Sequence, residues 1–191
     1  MNFLAHSFFS PQNSIVRCSN MLADTIKGSN FKNFNPLVIE GVVLHRKLDE
    51  FIDNYPNFSN QKQLLQPVLG KFTSIAIDMY FDFFLANKIL SKKINYNSYC
   101  MDLKMDYDLI RNDLPSEMLA LGDLIFERKW LMDYLTLEGM QNIMNQMSGR
   151  IKHIVVFSDS IPIFEANKDL FFNQFEDFYQ TLIIHHFSPF E

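Results

Sequence analysis

The chain of 191 residues carries 17 Lys and Arg against 22 Asp and Glu, a formal charge of −5, with 20 Phe and 7 Tyr but only 6 Gly. A chain this long buries roughly 70% of its unfolded surface, so it folds without a disulfide or structural metal. The acidic balance excludes a general nucleic-acid binder, and the Phe-rich, Gly-poor composition excludes a disordered chain, a Gly-rich nucleotide-loop enzyme and a turn-rich β protein.

Apolar residues recur three and four apart almost throughout, which predicts helices. Ser14 is a candidate cap for a helix over about 14–27, stopped by Gly28, with His6 lying ahead of it. Pro36 suits the first turn of a second helix that runs to about residue 54, before Pro56. Residues 59–90 read as one long helix or two, with a kink or join at Pro67 or Gly70. Helices over about 96–112, 115–134 and 137–147 follow, and a last one begins after Pro162 and reaches His186. Ile154-Val155-Val156-Phe157 is the only β-like patch. The expected fold is all-α: one domain, 1–191, of about seven helices. Cys18 and Cys100 have no Cys-x-x-Cys spacing and read as reduced, buried thiols. The start of the chain has no basic n-region, and the most apolar stretch, 75–86, is too short to span a bilayer and contains two acids. A cytoplasmic protein without membrane partners is the expectation.

The informative carboxylates are those that interrupt apolar faces. Val38, Val42, His45, Asp49 and Asp53 lie near one stripe of the second helix, a core face that turns into a polar pocket. His45 and Asp49, one turn apart, suit a divalent metal or a base with its orienter. Asp78 and Asp82 share a face inside the most apolar segment, and Asp24 sits inside Met21-Leu22-Ala23-Asp24. A buried carboxylate costs several kcal/mol unless matched, so each calls for a cation or a proton, from a basic partner such as Arg46 or from a metal. Imidazole with several carboxylates suits Mn²⁺, Fe²⁺ or Mg²⁺ better than a thiolate zinc site, and such an ion serves phosphoester hydrolysis. Arg46 would complement a phosphate if its stem bends toward the pocket.

Met1-Asn2-Phe3-Leu4-Ala5-His6, Asn20-Met21-Leu22-Ala23-Asp24 with Gly28, His45-Arg46-Lys47-Leu48-Asp49 with Asp53-Asn54 and Pro56, and Ile75-Ala76-Ile77-Asp78 with Asp82 and Phe84-Leu85 together resemble the bacterial acyl carrier protein phosphodiesterases. Trp130-Leu131 with Tyr134, and Ser148 with Arg150, fit weaker signals of the same family. The resemblance spans nearly the whole chain. It implies an all-helical bundle distantly related to the His-Asp metal phosphohydrolases. It also implies Mn²⁺-assisted cleavage of the phosphodiester joining 4′-phosphopantetheine to a serine of holo acyl carrier protein. On it, Asp24, His45, Asp78 and His6 are the expected metal ligands, Asp49 or Asp82 orients or deprotonates the attacking water, and Arg46 and Arg150 meet the phosphoryl oxygens. Two positions depart from the pattern: Phe83 stands where the family commonly has His, and Ser19 where it usually has Gly.

An acidic carrier calls for a local basic face, for which Arg17 with Lys27, Lys92-Lys93 and Arg128-Lys129 are candidates. Two other readings of the same residues are a metal phosphohydrolase of a nucleotide or other small phosphoester, and a non-catalytic helical module. The latter expects Asp24, Asp78 and Asp82 to be salt-bridged to Arg or Lys.

Overall fold

A computed structural model describes residues 3–29, 31–55, 58–91, 95–149 and 155–185. Helices α1 (Phe3–Phe8), α2 (Ser14–Leu22), α3 (Pro36–Asp53), α4 (Ser59–Leu69), α5 (Thr73–Ser91), α6 (Tyr96–Leu109), α7 (Ser116–Glu127), α8 (Trp130–Asp133), α9 (Leu137–Ser148), α10 (Ile161–Ala166) and α11 (Lys168–Ile184) are joined by short loops and 3₁₀ turns. The all-α expectation holds: no strand occurs among the described residues. No helix among them is long and apolar enough to cross a membrane. Arg150, Lys92, Lys93 and Ile154 lie outside the described residues, whereas Phe157 opens a 3₁₀ turn rather than a strand.

The helices are more numerous and shorter than their periodicity suggests, for local reasons. Gly70, at φ +55°, takes a left-handed turn that separates α4 from α5, while Pro67 stays inside α4. Lys129 adopts the left-handed region at φ 57° and splits the predicted 115–134 helix into α7 and α8. The segment containing His6 is itself helical, in α1. The cap of α2 is Asn13, whose side chain accepts from the Ile15 and Val16 N–H groups, whereas Ser14 donates to Asp106.

Helix α5 is buried on nearly every side from Ala76 to Ala86 and forms the centre of one continuous core. The Phe excess is spent there. Phe81 meets Phe58, Phe175 and Phe178 at ring centroid distances of 5.1, 5.7 and 5.7 Å, and Tyr80 stacks on Phe164 at 4.0 Å. Cys18 and Cys100 are buried, free thiols, as expected.

Three packings position the site. Helix α3 lies against α2, and α1 lies against both α2 and α5. Gly41, one turn before His45, sets the first distance. A Cβ there would stand 2.6 Å from both the Ser19 Cβ and the Val16 carbonyl oxygen, so any side chain would push α3 away from α2. Asp82 sets the second. It is 0% exposed, and its two oxygens accept the N–H groups of Leu4 and Ala5 at 2.9 and 3.0 Å. These are donors of the first turn of α1, which a six-residue helix has no internal partner for.

Candidate active site

With α1, α2 and α3 held this way, the imidazoles of His6 and His45 stack with ring centroids 3.9 Å apart. Asn20 of α2 orients both. Its carbonyl oxygen accepts from His45 Nδ1 at 2.8 Å, and its side-chain oxygen accepts from His6 Nδ1 at 2.9 Å. Its amide nitrogen donates to the His6 carbonyl and to Ser10 Oγ, which fixes the amide orientation. An oxygen acceptor on each Nδ1 requires a proton there, so both Nε2 atoms are left as the metal- or proton-binding nitrogens.

Both Nε2 atoms point at Asp49. Oδ1 lies 3.2 Å from His6 Nε2 and Oδ2 lies 3.1 Å from His45 Nε2, while Asp24 Oδ1 stands 3.3 Å from His45 Nε2. Burial pulls His6 down to about 4, so its ring is neutral and its Nε2 presents a lone pair. That buried Nε2 has no hydrogen-bond partner. A lone pair facing a carboxylate is two acceptors in opposition, which a cation between them would relieve. Burial also opposes charge on His45, but Asp24 and Asp49 outweigh it and raise the ring to about 9. His45 in turn holds Asp24 below the usual carboxylate range, and it does the same for Asp49 against the opposing effect of burial.

One ligand atom each from His6, His45 and Asp49 lie within 4.8 Å of one another, a spacing able to hold a metal ion. Asp24 adjoins this group and is exposed, its side chain 62% accessible. Asp78 does not belong to the triad, but it lines the same cleft of about 320 Å³ with Asp24, Asp49, Asp53, Lys62 and Ser74. Burial raises its carboxyl above the usual range. The set of two imidazole nitrogens and several carboxylates fits a hard or borderline divalent ion.

Other predicted residues lie elsewhere. Asp82 does not line the cleft and anchors α1, as described above. Arg46 is turned away: its guanidinium donates to the Ile26 and Gly28 carbonyls and lies 4.7 Å from the centre of the Phe31 ring. Arg17, offered above as a docking cation, is buried against Asp106 at 3.1 Å and over the Tyr99 ring at 5.1 Å. Among the described residues, Asp24 is matched by His45 and Asp82 by backbone N–H groups, not by Arg or Lys, as a purely structural role had required.

Sequence reasoning gave no role to Asn20, although its place in the Asn20–Asp24 block was the available signal. Lys62 and Ser74 carried no signal, because neither interrupts an apolar face.

Known proteins resemble the chain over nearly its whole length. The profile of the acyl carrier protein phosphodiesterase family matches residues 1–182. Proteins named acyl carrier protein phosphodiesterase from Salmonella agona strain SL483, Salmonella dublin and Salmonella newport strain SL254 are each 26% identical over 185 residues, covering 96% of this chain and 96% of theirs. No solved structure matches. The chain belongs to the acyl carrier protein phosphodiesterase family.

Proposed function

We propose that the protein hydrolyses the phosphodiester between 4′-phosphopantetheine and the carrier serine of holo acyl carrier protein, releasing apo carrier. The family match over residues 1–182 supports the substrate. The observation that carries the chemistry is the pair of imidazole Nε2 atoms, fixed by Asn20 and converging on Asp49, with that of His6 buried and unpartnered.

His6, His45 and Asp49 would hold Mn²⁺, or Mg²⁺ or Fe²⁺, with Asp24 completing the set. When bound, such an ion lowers the pKa of a coordinated water and neutralises charge on phosphate oxygens. The chain's own groups do the rest. Asn20 keeps both rings in the tautomer that presents Nε2, and Asp49 pairs with the protonated His45 while its other oxygen faces His6 Nε2. Water adds to phosphorus as the bond to the serine oxygen breaks, and that oxygen takes up a proton. Asp78, on the facing wall with its carboxyl pushed up by burial, is the group suited to supply it.

Purified protein incubated with Mn²⁺ and holo acyl carrier protein tests this reading by mass spectrometry. The expected result is loss of the phosphopantetheinyl group, abolished by chelator and by His45→Asn. An unchanged holo mass, or full turnover in chelator, overturns it. Small phosphodiesters hydrolysed as fast as the carrier would shift the substrate to a small phosphoester.

A further inference from the structure

The cleft sets four carboxylates, Asp24, Asp49, Asp53 and Asp78, against a single cation among its described lining residues, Lys62 of α4. A phosphodiester entering it adds further negative charge. A divalent ion leaves the sum negative, so a second cation near the phosphate carries weight. Arg46 does not supply it, being bound to loop carbonyls.

Lys62 is exposed, and among the described residues nothing forms a hydrogen bond or ion pair with its ammonium, whereas Arg46 is bound to loop carbonyls. Lys62 shares a wall position with Ser74, the two residues lining both the cleft and an adjoining hollow of about 220 Å³ completed by Gln66, Gly70, Lys71 and Thr73. Ser74 in turn precedes Asp78 by one helical turn on α5, which places its hydroxyl on the Asp78 face, about 6 Å away in Cβ spacing. An unpaired ammonium and a hydroxyl on the shared lining, beside carboxylates that face the His6–His45 pair, form a seat for a tetrahedral anion. Lysine serves such a seat as a compact point charge with three donors, requiring no planar fork geometry.

We propose that Lys62, assisted by Ser74, binds the non-bridging oxygens of the substrate's phosphate group. Arg46 instead keeps the loop after α2 in place. This deepens the phosphodiesterase reading above and rests on it for the identity of the phosphate's owner.

Inorganic phosphate is the probe, its binding measured by calorimetry on the Mn²⁺-supplied protein and again in chelator. Lys62→Met is expected to weaken phosphate binding at least tenfold and to raise KM for holo acyl carrier protein by a similar factor, with kcat within about threefold of wild type. Lys62→Arg, which keeps the charge, should recover most of both, and Ser74→Ala should weaken binding by a smaller factor. Because Lys62 is exposed, the thermal midpoint should not move, which separates lost binding from lost folding. Phosphate bound equally well by wild type and Lys62→Met, or not bound by the wild type at all, overturns the inference. Lys62-dependent phosphate binding in a protein inert toward holo carrier upholds this inference and overturns the carrier reading instead.

Discussion

Asp82 is the residue for which geometry and sequence pattern diverge most, and Asp82→Asn separates a catalytic carboxylate from an anchoring one. In the wild type, its two oxygens accept the Leu4 and Ala5 N–H groups in a fully buried setting. Asparagine keeps one acceptor and turns an NH₂ toward the other N–H, leaving a buried donor unpaired at a cost of about 1–3 kcal/mol. Relief from burying a carboxylate offsets part of this, since burial has already pushed Asp82 up to about 7. A net loss of about 2 kcal/mol translates into a fall of roughly 4–8 °C in Tm for a chain of this length.

The consequence for the site passes through α1. His6 is one residue beyond Ala5, so a loosened α1 shifts its Nε2 from its place 3.2 Å from Asp49 Oδ1. Mn²⁺ affinity, measured by competition with a chromogenic chelator, should fall about tenfold, as is usual when a ligand's support is lost. At saturating Mn²⁺, kcat should recover to within a few-fold of wild type. The pH dependence has a definite sign. A carboxyl with a raised folded pKa contributes stability that is fully present below its unfolded value near 3.9 and gone once pH passes about 7. The Tm gap between wild type and Asp82→Asn should therefore narrow from pH 5 to pH 8. An unchanged Tm and unchanged Mn²⁺ affinity, with kcat down about 10²–10⁴-fold as for a lost general base, would refute the anchor.

Two further outcomes follow from the same cluster. Asn20→Ala removes the side-chain bonds to His6 Nδ1, the His6 carbonyl and Ser10, and should cost about 3 kcal/mol in denaturant unfolding and roughly 10–100-fold in Mn²⁺ affinity; retention of wild-type metal affinity would show that Asn20 does not orient the ligands. At pH 7 the metal-free site carries its proton on His45, held at about 9, while His6, near 4, is already neutral. Binding Mn²⁺ should therefore release about one proton, visible as a calorimetric enthalpy that differs between Tris and Pipes by about one buffer ionisation, and equal enthalpies in the two buffers would contradict that protonation pattern.

What the sequence makes legible is whatever one element encodes alone. His45 and Asp49 can be paired from their four-residue spacing on α3, and Asp24 stands out because it interrupts an apolar run. The same rule treats Asp78 and Asp82 as equivalents, since they share a face of α5. Only the tertiary partner tells them apart, for Asp82 meets the N-terminus of α1 whereas Asp78 faces the cleft. Helix α1 itself, with six residues, is too short to show a period. The breaks at Lys129 and Asn167 carry no glycine or proline to announce them. His6 joins the site through tertiary contacts, with Asn20 fourteen residues away and with the α1 anchor at Asp82, and Arg46 leaves it because loop carbonyls after α2 compete for its guanidinium.

The two departures from the family pattern fall on the scaffold rather than on the cluster. Phe83 lies on α5 one residue past Asp82, but its ring is buried against Phe84 and Phe164 at 5.4 and 5.8 Å, beneath the Lys168 ammonium, and does not line the cleft. A side chain there acts on the site only through how α5 packs on α10 and α11. Ser19 lies at the α2–α3 contact, where the absence of a Cβ on Gly41 leaves room for it. The spacing that brings the Asn20 carbonyl to His45 Nδ1 thus depends on at least one glycine at this crossing, and here α3 provides it. Because His6, His45, Asp49 and Asp24 are positioned by Asn20, Gly41 and Asp82, the cluster forms without a histidine at position 83.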